Sequence, residues 1–382
     1  MRYAKYEKMK TPKNPFIVSG YEGPQLFCNR EEETSKIISA CENGRNLTLM
    51  SIRRMGKTGL IQHVFHLLNK KKDLRLLYLD ILPAQNLSDV IRIFAKALVL
   101  EEQRRPGNYL KKLGRLLAGL QVKLTLSPHS GMPEMEFAYR STYESMQDLE
   151  QLFNYIGLQS QEYLIAFDEF QQIVNFPEKN IEAILRSQVQ TIKNAKFIFS
   201  GSHKHLLSSI FSDSGRPFFQ STEMMQLEPI EPTEYSWFIR GHLLANKQQV
   251  DPELVANSLD QLRHHTFYVQ FFFNRLYESG IKKPDRKDLK TLLEKILKER
   301  EFVFYDYRNL LTLNQFALLQ AIAKEEKVSQ PTSKEFIEKH RLGQPSSINR
   351  SLKALIEKEM IYEEKGVFYV YDLFFSKWLE KI

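Results

Sequence analysis

The sequence predicts an α/β fold: a parallel sheet with helices on both faces, followed by a small all-α region and a C-terminal module of three helices and a β-wing. Three observations lead there. Continuous apolar runs alternate with helical periodicity through the first half of the chain, the pattern of strands buried on both faces. From Glu231 to Arg300 the periodicity is helical throughout. The remaining residues give three helical patterns and then "IYEEKGVFYVYD", two short strands about Glu364-Lys365-Gly366.

Residues 1–26 read as an N-terminal strap, followed by a core over 27–230. Leu47 to Met50 is a short apolar strand, and Lys57 to Leu68 has helical spacing with Leu60, Val64, Leu67 and Leu68 on one side. A second strand is expected at "LRLLYLDIL", Leu74 to Leu82, and a helix from Ser88 to Leu100 with Asn86 and Ser88 as candidate caps. Further strands are expected at "YLIAF", Tyr163 to Phe167, and "AKFIFSGS", Ala195 to Ser202. Between them and the second helix, "VKLTLSPHSGMPEMEFAY" alternates about a Ser-Pro-His-Ser-Gly turn and reads as a β-hairpin insertion at about 121–139.

A helical lid over 231–300 opens with "EPTEYSWFIRGHLL", where Thr233 is the candidate cap. Over 301–382, "TLNQFALLQAIAKE", "TSKEFIEKH" and "PSSINRSLKALIEKEM" with the β-wing make a winged-helix module. In its third helix Ile348, Leu352, Leu355 and Ile356 form the expected buried stripe, which turns Asn349, Arg350, Lys353 and Lys358 outward.

Composition narrows the function classes. With 42% hydrophobic and 26% charged residues in 382, the chain has the balance of a soluble globular protein. Met1 to Pro15 carries lysines and no apolar run, which reads against a secretory signal. No apolar window is long and uncharged enough to span a bilayer, so the expected location is the cytoplasm. Two cysteines, Cys28 and Cys41, are too few for a disulfide framework or a zinc site. The net charge of +8 permits an anionic partner. "IKKPDRKDLKTLLEKILKER", Ile281 to Arg300, holds eight basic and four acidic residues, half of that excess, and reads as a solvated helix face.

The chemistry concentrates at Ser51-Ile52-Arg53-Arg54-Met55-Gly56-Lys57-Thr58-Gly59. A phosphate-binding loop has glycine, four residues, glycine, lysine, then serine or threonine, and Ser51 stands where the first glycine belongs. Such a loop needs backbone amides converging on phosphate, a lysine for the outer phosphates and a hydroxyl for Mg²⁺. Gly56, Lys57 and Thr58 supply these in order, after a strand and before a helix. "YLIAFDEFQQI" then runs an apolar strand into Asp168-Glu169. This arrangement suits Mg²⁺ held through Asp168, partly by way of water, and an attacking water activated by Glu169. Either motif alone also fits an ordinary turn or an acidic strand end, but their joint order favours a nucleotide site. The strand Phe197 to Ser202 ends in hydroxyls at the sheet edge where ligands bind, so Ser200 or Ser202 could sense the γ-phosphate or orient water. A serine-hydrolase elbow is excluded because Ser202 is flanked at two residues by Ser200 and Lys204. The pairs His63 with His66 and His203 with His205 lack the partners of a metal site.

These motifs resemble those of the archaeal and bacterial P-loop ATPases of the AAA+/STAND type, over nearly the whole chain. "SIRRMGKTGL" resembles the family's Walker A, "LIAFDEFQ" its Walker B, "FIFSGSHKHLL" its sensor strand and "VFYVYDLFFSKWL" the ending of its winged helix. "FCNREEE" resembles its adenine-side signature, which implies that Phe27, Cys28, Asn29 and Arg30 lie near the base; "SGRPFF" is similar to its Gly-Arg segment, which makes Arg216 the candidate arginine finger. Ser51, Asn29 and His264-His265-Thr266 depart from the family pattern.

The resemblance implies ATP with Mg²⁺ and hydrolysis as a molecular switch. Lys57, Glu169, Arg216 and Ser202 are then candidate catalytic groups, with Thr58 and Asp168 at the metal. An arginine finger supplied in trans would require self-association or a protein partner. The alternative is an ATP-liganded regulator with little hydrolysis that grips DNA through Asn349, Arg350 and Lys353.

Overall fold

A computed structural model describes residues 14–104, 114, 122–126, 133–137 and 141–382. The chain divides into two compact units, Ser19–Glu231 and a second built from residues up to Val18 together with Pro232–Ile382.

The first unit holds strands β1 (Leu47–Met50), β2 (Leu74–Asp80), β3 (Val122–Leu126), β4 (Pro133–Phe137), β5 (Glu162–Asp168), β6 (Ala195–Gly201) and β7 (Glu223–Gln226). Five form one parallel sheet in the order β2-β5-β6-β1-β7. β3 and β4 pair antiparallel, as the alternating insertion predicts, and the turn expected between them lies outside the described residues.

The sheet strands are apolar without a break because both faces are covered, and their two-residue period sorts the side chains. Ile165, Phe167, Phe197 and Phe199 point into one core, and Leu164, Ala166 and Ile198 into the other. The first core is closed by α3 (Leu87–Gln103), α4 (Thr142–Gly157), α5 (Ile181–Thr191) and α6 (Lys204–Ser212); the second by α1 (Glu31–Glu42) and α2 (Lys57–Leu68). On α2 the buried face is Leu60, Ile61, Val64, Phe65 and Leu68. Leu67, expected among them, is 43% exposed because it lies just past the edge of that stripe, about 90° from its middle. Asn86 caps α3 by accepting from the Asp89 amide at 3.0 Å, whereas Ser88 sits inside the helix and bonds Ser145.

The second unit is helical apart from its wing. Its elements are α7 (Pro232–Ala245), α8 (Pro252–Gln261), α9 (Thr266–Ser279), α10 (Arg286–Glu299), α11 (Glu301–Asn309), α12 (Leu313–Lys324), α13 (Lys334–His340), α14 (Pro345–Glu357), strands β8 (Ile361–Glu364) and β9 (Val367–Val370), and α15 (Leu373–Leu379). Thr233 does not cap the first of these: the helix starts at Pro232, whose missing amide proton suits a first turn, and Thr233 is already inside it. On α14 Ile348, Ser351 and Leu355 are buried while Ile356 is 39% exposed, again one step off the inward stripe. Phe16 is fully buried against Phe238, His242, Phe273 and Tyr277. Beside it, Asn14 donates to the Asn274 carbonyl and Asn274 donates to the Phe16 carbonyl. Among the described residues no helix is long and apolar enough to cross a membrane.

Candidate nucleotide site

The carboxyl ends of β1, β5 and β6 lie side by side, with Met50 opposite Gly201 and Asp80 opposite Asp168 in register. Each strand delivers its polar residues to the same edge.

From β1 the chain enters the loop Ser51–Gly56. Gly56 takes a φ of 99°, a left-handed conformation that a side chain would strain, and the chain turns from there into α2. Ser51 is completely buried; its hydroxyl donates to the Ile52 carbonyl at 2.8 Å and accepts from the Lys57 ammonium at 3.1 Å. Lys57 also reaches the Ser51 and Ile52 carbonyls. The serine in the first glycine's place is thus a support for the lysine. Burial pushes the Lys57 amine below its ordinary value, and the Glu169 and Asp168 carboxylates pull it back up. Met55 is buried in the core beneath the loop, Ile52 packs against that core, and Arg53 and Arg54 are exposed.

Asp168 ends β5 at 3% exposure. One of its oxygens accepts from Thr58 Oγ1 at 2.6 Å and from the Tyr78 hydroxyl at 2.5 Å; the other accepts from Ser200 Oγ at 2.5 Å. Glu169 follows in a left-handed conformation, φ 56°, and its carboxylate accepts from the Ser202 hydroxyl at 2.8 Å, the Ser202 amide at 3.1 Å and Gln171 at 2.6 Å. Ser200 and Ser202, two apart on one strand end, therefore hold the two acidic neighbours separately.

Phe27 stacks on His63 at 4.3 Å, and a side chain at Gly59 would meet it at 3.6 Å, so the Phe27 ring lies beside the opening turns of α2. Cys28 is buried and Asn29 exposed, while Arg30 is buried, left-handed at φ 75° and paired with Glu33 at 2.7 Å. Arg216 is directed elsewhere: its guanidinium forms a bidentate pair with Glu182 on α5 and donates to Ser209. Among the described residues no cluster of three or more His, Cys, Asp or Glu is arranged to hold a metal ion.

Sequence reasoning missed Tyr78, Asp80 and Gln171. Burial, then the Asp168 charge, push the Tyr78 phenol far up, so it is a firm proton donor. Burial also raises the Asp80 carboxyl, and the Asp168 and Glu169 charges add to the rise. A phenol and a carboxylate two residues apart near the end of the apolar run "LRLLYLDIL" were the available signal.

The fold is that of the P-loop ATPases, carrying a winged helix at its C-terminus. Residues 302–381 match the family described as a probable winged helix domain. The Walker-type ATPase of Pyrococcus abyssi is similar over 96% of this chain and 100% of its own, with a TM-score of 0.63 at 17% identity. The ORC2 protein of Aeropyrum pernix, solved in ADPNP and ADP complexes, has a TM-score of 0.60 at 12% identity over 97% of this chain and 96% of its own. The ORC1 protein of the same organism, solved with DNA, has a TM-score of 0.54 at 12% identity over the same shares. No curated protein matches the chain in sequence. These solved structures, a Walker-type ATPase and two ORC proteins, share the fold over nearly the whole chain.

Proposed function

We propose that the chain binds ATP with Mg²⁺ at the Ser51–Gly59 loop, hydrolyses it, and works as a nucleotide-driven switch coupled to its winged helix. In this reading residues 27–230 are the ATPase core, 231–300 the lid and 301–382 the winged-helix module. The observation that carries it is the 2.6 Å approach of Thr58 Oγ1 to Asp168, with Lys57 and the Glu169–Ser202 pair on the same sheet edge.

A hydroxyl and a carboxylate are hard oxygen donors suited to Mg²⁺, and the residues present fit it. Thr58 and Asp168 would hold the cation, which when bound supplies positive charge to the outer phosphates. Lys57 adds a fixed positive charge beside them, and the α2 N-terminus offers backbone amides. Glu169, oriented by Ser202 and Gln171, takes the water-positioning role. Arg216, paired with Glu182, acts as an arginine finger only by leaving that partner, through self-association or a protein partner. ATP turnover should fall for both Lys57→Ala and Glu169→Gln, and unchanged turnover in both would sink the proposal.

A second reading, an ATP-liganded DNA-binding regulator with little hydrolysis, draws on Asn349, Arg350 and Lys353. All three are exposed along α14, and the fold is shared with a protein solved on DNA. DNA affinity that falls with salt and with Arg350 and Lys353 substitutions would favour it.

A further inference from the structure

Helices α8, α9 and α10 enclose a groove of about 620 Å³, within the range of ligand sites. Its floor is apolar, with Leu262, Phe272 and Leu289 all buried. One rim carries the exposed Arg286, Lys287 and Lys290, and the α8 side carries the exposed neutral Asn257 and Gln261 with Leu254 and the buried Ser258 beneath them. Among the described residues no carboxylate lines it.

The asymmetry comes from how the basic run Ile281 to Arg300 is partnered. All four of its acidic residues are used within the unit. Asp285 and Asp288 form the capping box of α10, Glu294 lies 3.8 Å from Lys381, and Glu299 pairs with Arg275 at 2.8 Å. Among the described residues no ion pair engages Arg286, Lys287 or Lys290. The excess of charge read in the sequence is therefore concentrated in part on the lip of an apolar trough, where it is not merely a solvated face.

We propose that this groove docks an acidic amphipathic helix of a partner protein, apolar side chains on the Phe272 floor and carboxylates against the Arg286–Lys290 rim. A phosphate backbone would satisfy the rim and leave the floor unused. An uncharged apolar helix would fill the floor and leave three cations unmatched. Helix-in-groove recognition uses anchors spaced three and four apart, and charge complementarity sets orientation. This inference is independent of nucleotide turnover.

The test is fluorescence anisotropy of the full chain with a labelled model helix bearing a leucine stripe flanked by glutamates. A scrambled peptide of the same composition and a labelled DNA duplex are the controls. Asn257→Trp narrows the groove without changing charge, and Arg286→Glu with Lys290→Glu inverts the rim. All three residues are exposed on helices, and circular dichroism checks that the variants stay folded. The striped peptide should bind, and weaken about tenfold or more in each variant. Equal binding of the scrambled peptide, or competition by DNA for the groove, would overturn the proposal. So would indifference to Asn257→Trp, or no binding by about 1 mM peptide, the limit of weak recognition.

Discussion

The Tyr78 hydroxyl donates to the same Asp168 oxygen, at 2.5 Å, that accepts from Thr58 at 2.6 Å. A residue from the neighbouring strand thereby fixes the carboxylate that the proposed cation would meet. Tyr78→Phe keeps the ring and removes one charge-assisted bond. We expect a stability loss of about 1–2 kcal/mol in urea unfolding. The Mg²⁺ concentration for half-maximal turnover should rise about tenfold, the usual effect of losing such support. An unchanged Mg²⁺ requirement would deny Tyr78 this positioning role.

Gly201 explains why Glu169 stays where it is. A Cβ there would clash with Gln171 Oε1, so Gly201→Ala pushes the Gln171 amide off Glu169. Turnover should drop about tenfold or more, since small misplacements at reacting groups are costly. In a Gln171→Ala background the same alanine should cost little, and a double-mutant cycle measures the difference.

Phe16 packs among the helices of the second unit. Its ring touches three aromatic groups and His242 at centroid distances of 6.0 to 6.2 Å and is fully buried. Phe16→Ala should lower the stability of the second unit by about 3–5 kcal/mol. Chemical denaturation followed by circular dichroism checks it; a loss below about 1 kcal/mol, typical of a surface change, would contradict this packing role.

His242 should make that unit acid-sensitive. Burial pushes its imidazole down to about 4, so the unfolded chain takes up the proton more readily than the folded one. Stability from this group is complete above about pH 6.5 and is lost as pH falls toward 4. Over that interval the wild type should lose about 3 kcal/mol more than His242→Phe. Parallel pH profiles would argue against a neutral buried imidazole.

Much of the fold was legible because strands and helices repeat on different periods. Leu47–Met50 and Lys57–Leu68 agree with their observed limits, and β2 ends at Asp80, two residues short of the expected Leu82. Residues one step off a helical stripe were misplaced: Leu67 and Ile356 are apolar, and periodicity alone does not tell an edge position from a buried one. Thr233 had the chemistry of a cap, but Pro232 before it already begins the helix.

The candidate site was legible where it is contiguous. Ser51 to Thr58 and Asp168-Glu169 could be read from order and residue type, because loop chemistry is local. That Thr58 meets Asp168 110 residues away, that Tyr78 joins them, and that Ser200 and Ser202 take one acidic neighbour each follow only from strand register. Arg216 shows the other side: its motif suggested a finger, and packing against α5 gave it Glu182.

The sequence by itself determined the alternation of strands and helices, the phosphate-type loop with serine for its first glycine, and the basic run before the winged helix. Burial and periodicity are written residue by residue, so these survive without coordinates. The tertiary structure decided which hydroxyl orients which carboxylate, and which cations of the basic run border an apolar groove. Both depend on side chains distant in sequence being brought within hydrogen-bonding or packing range, and that information resides in the register of the sheet and the crossing of helices.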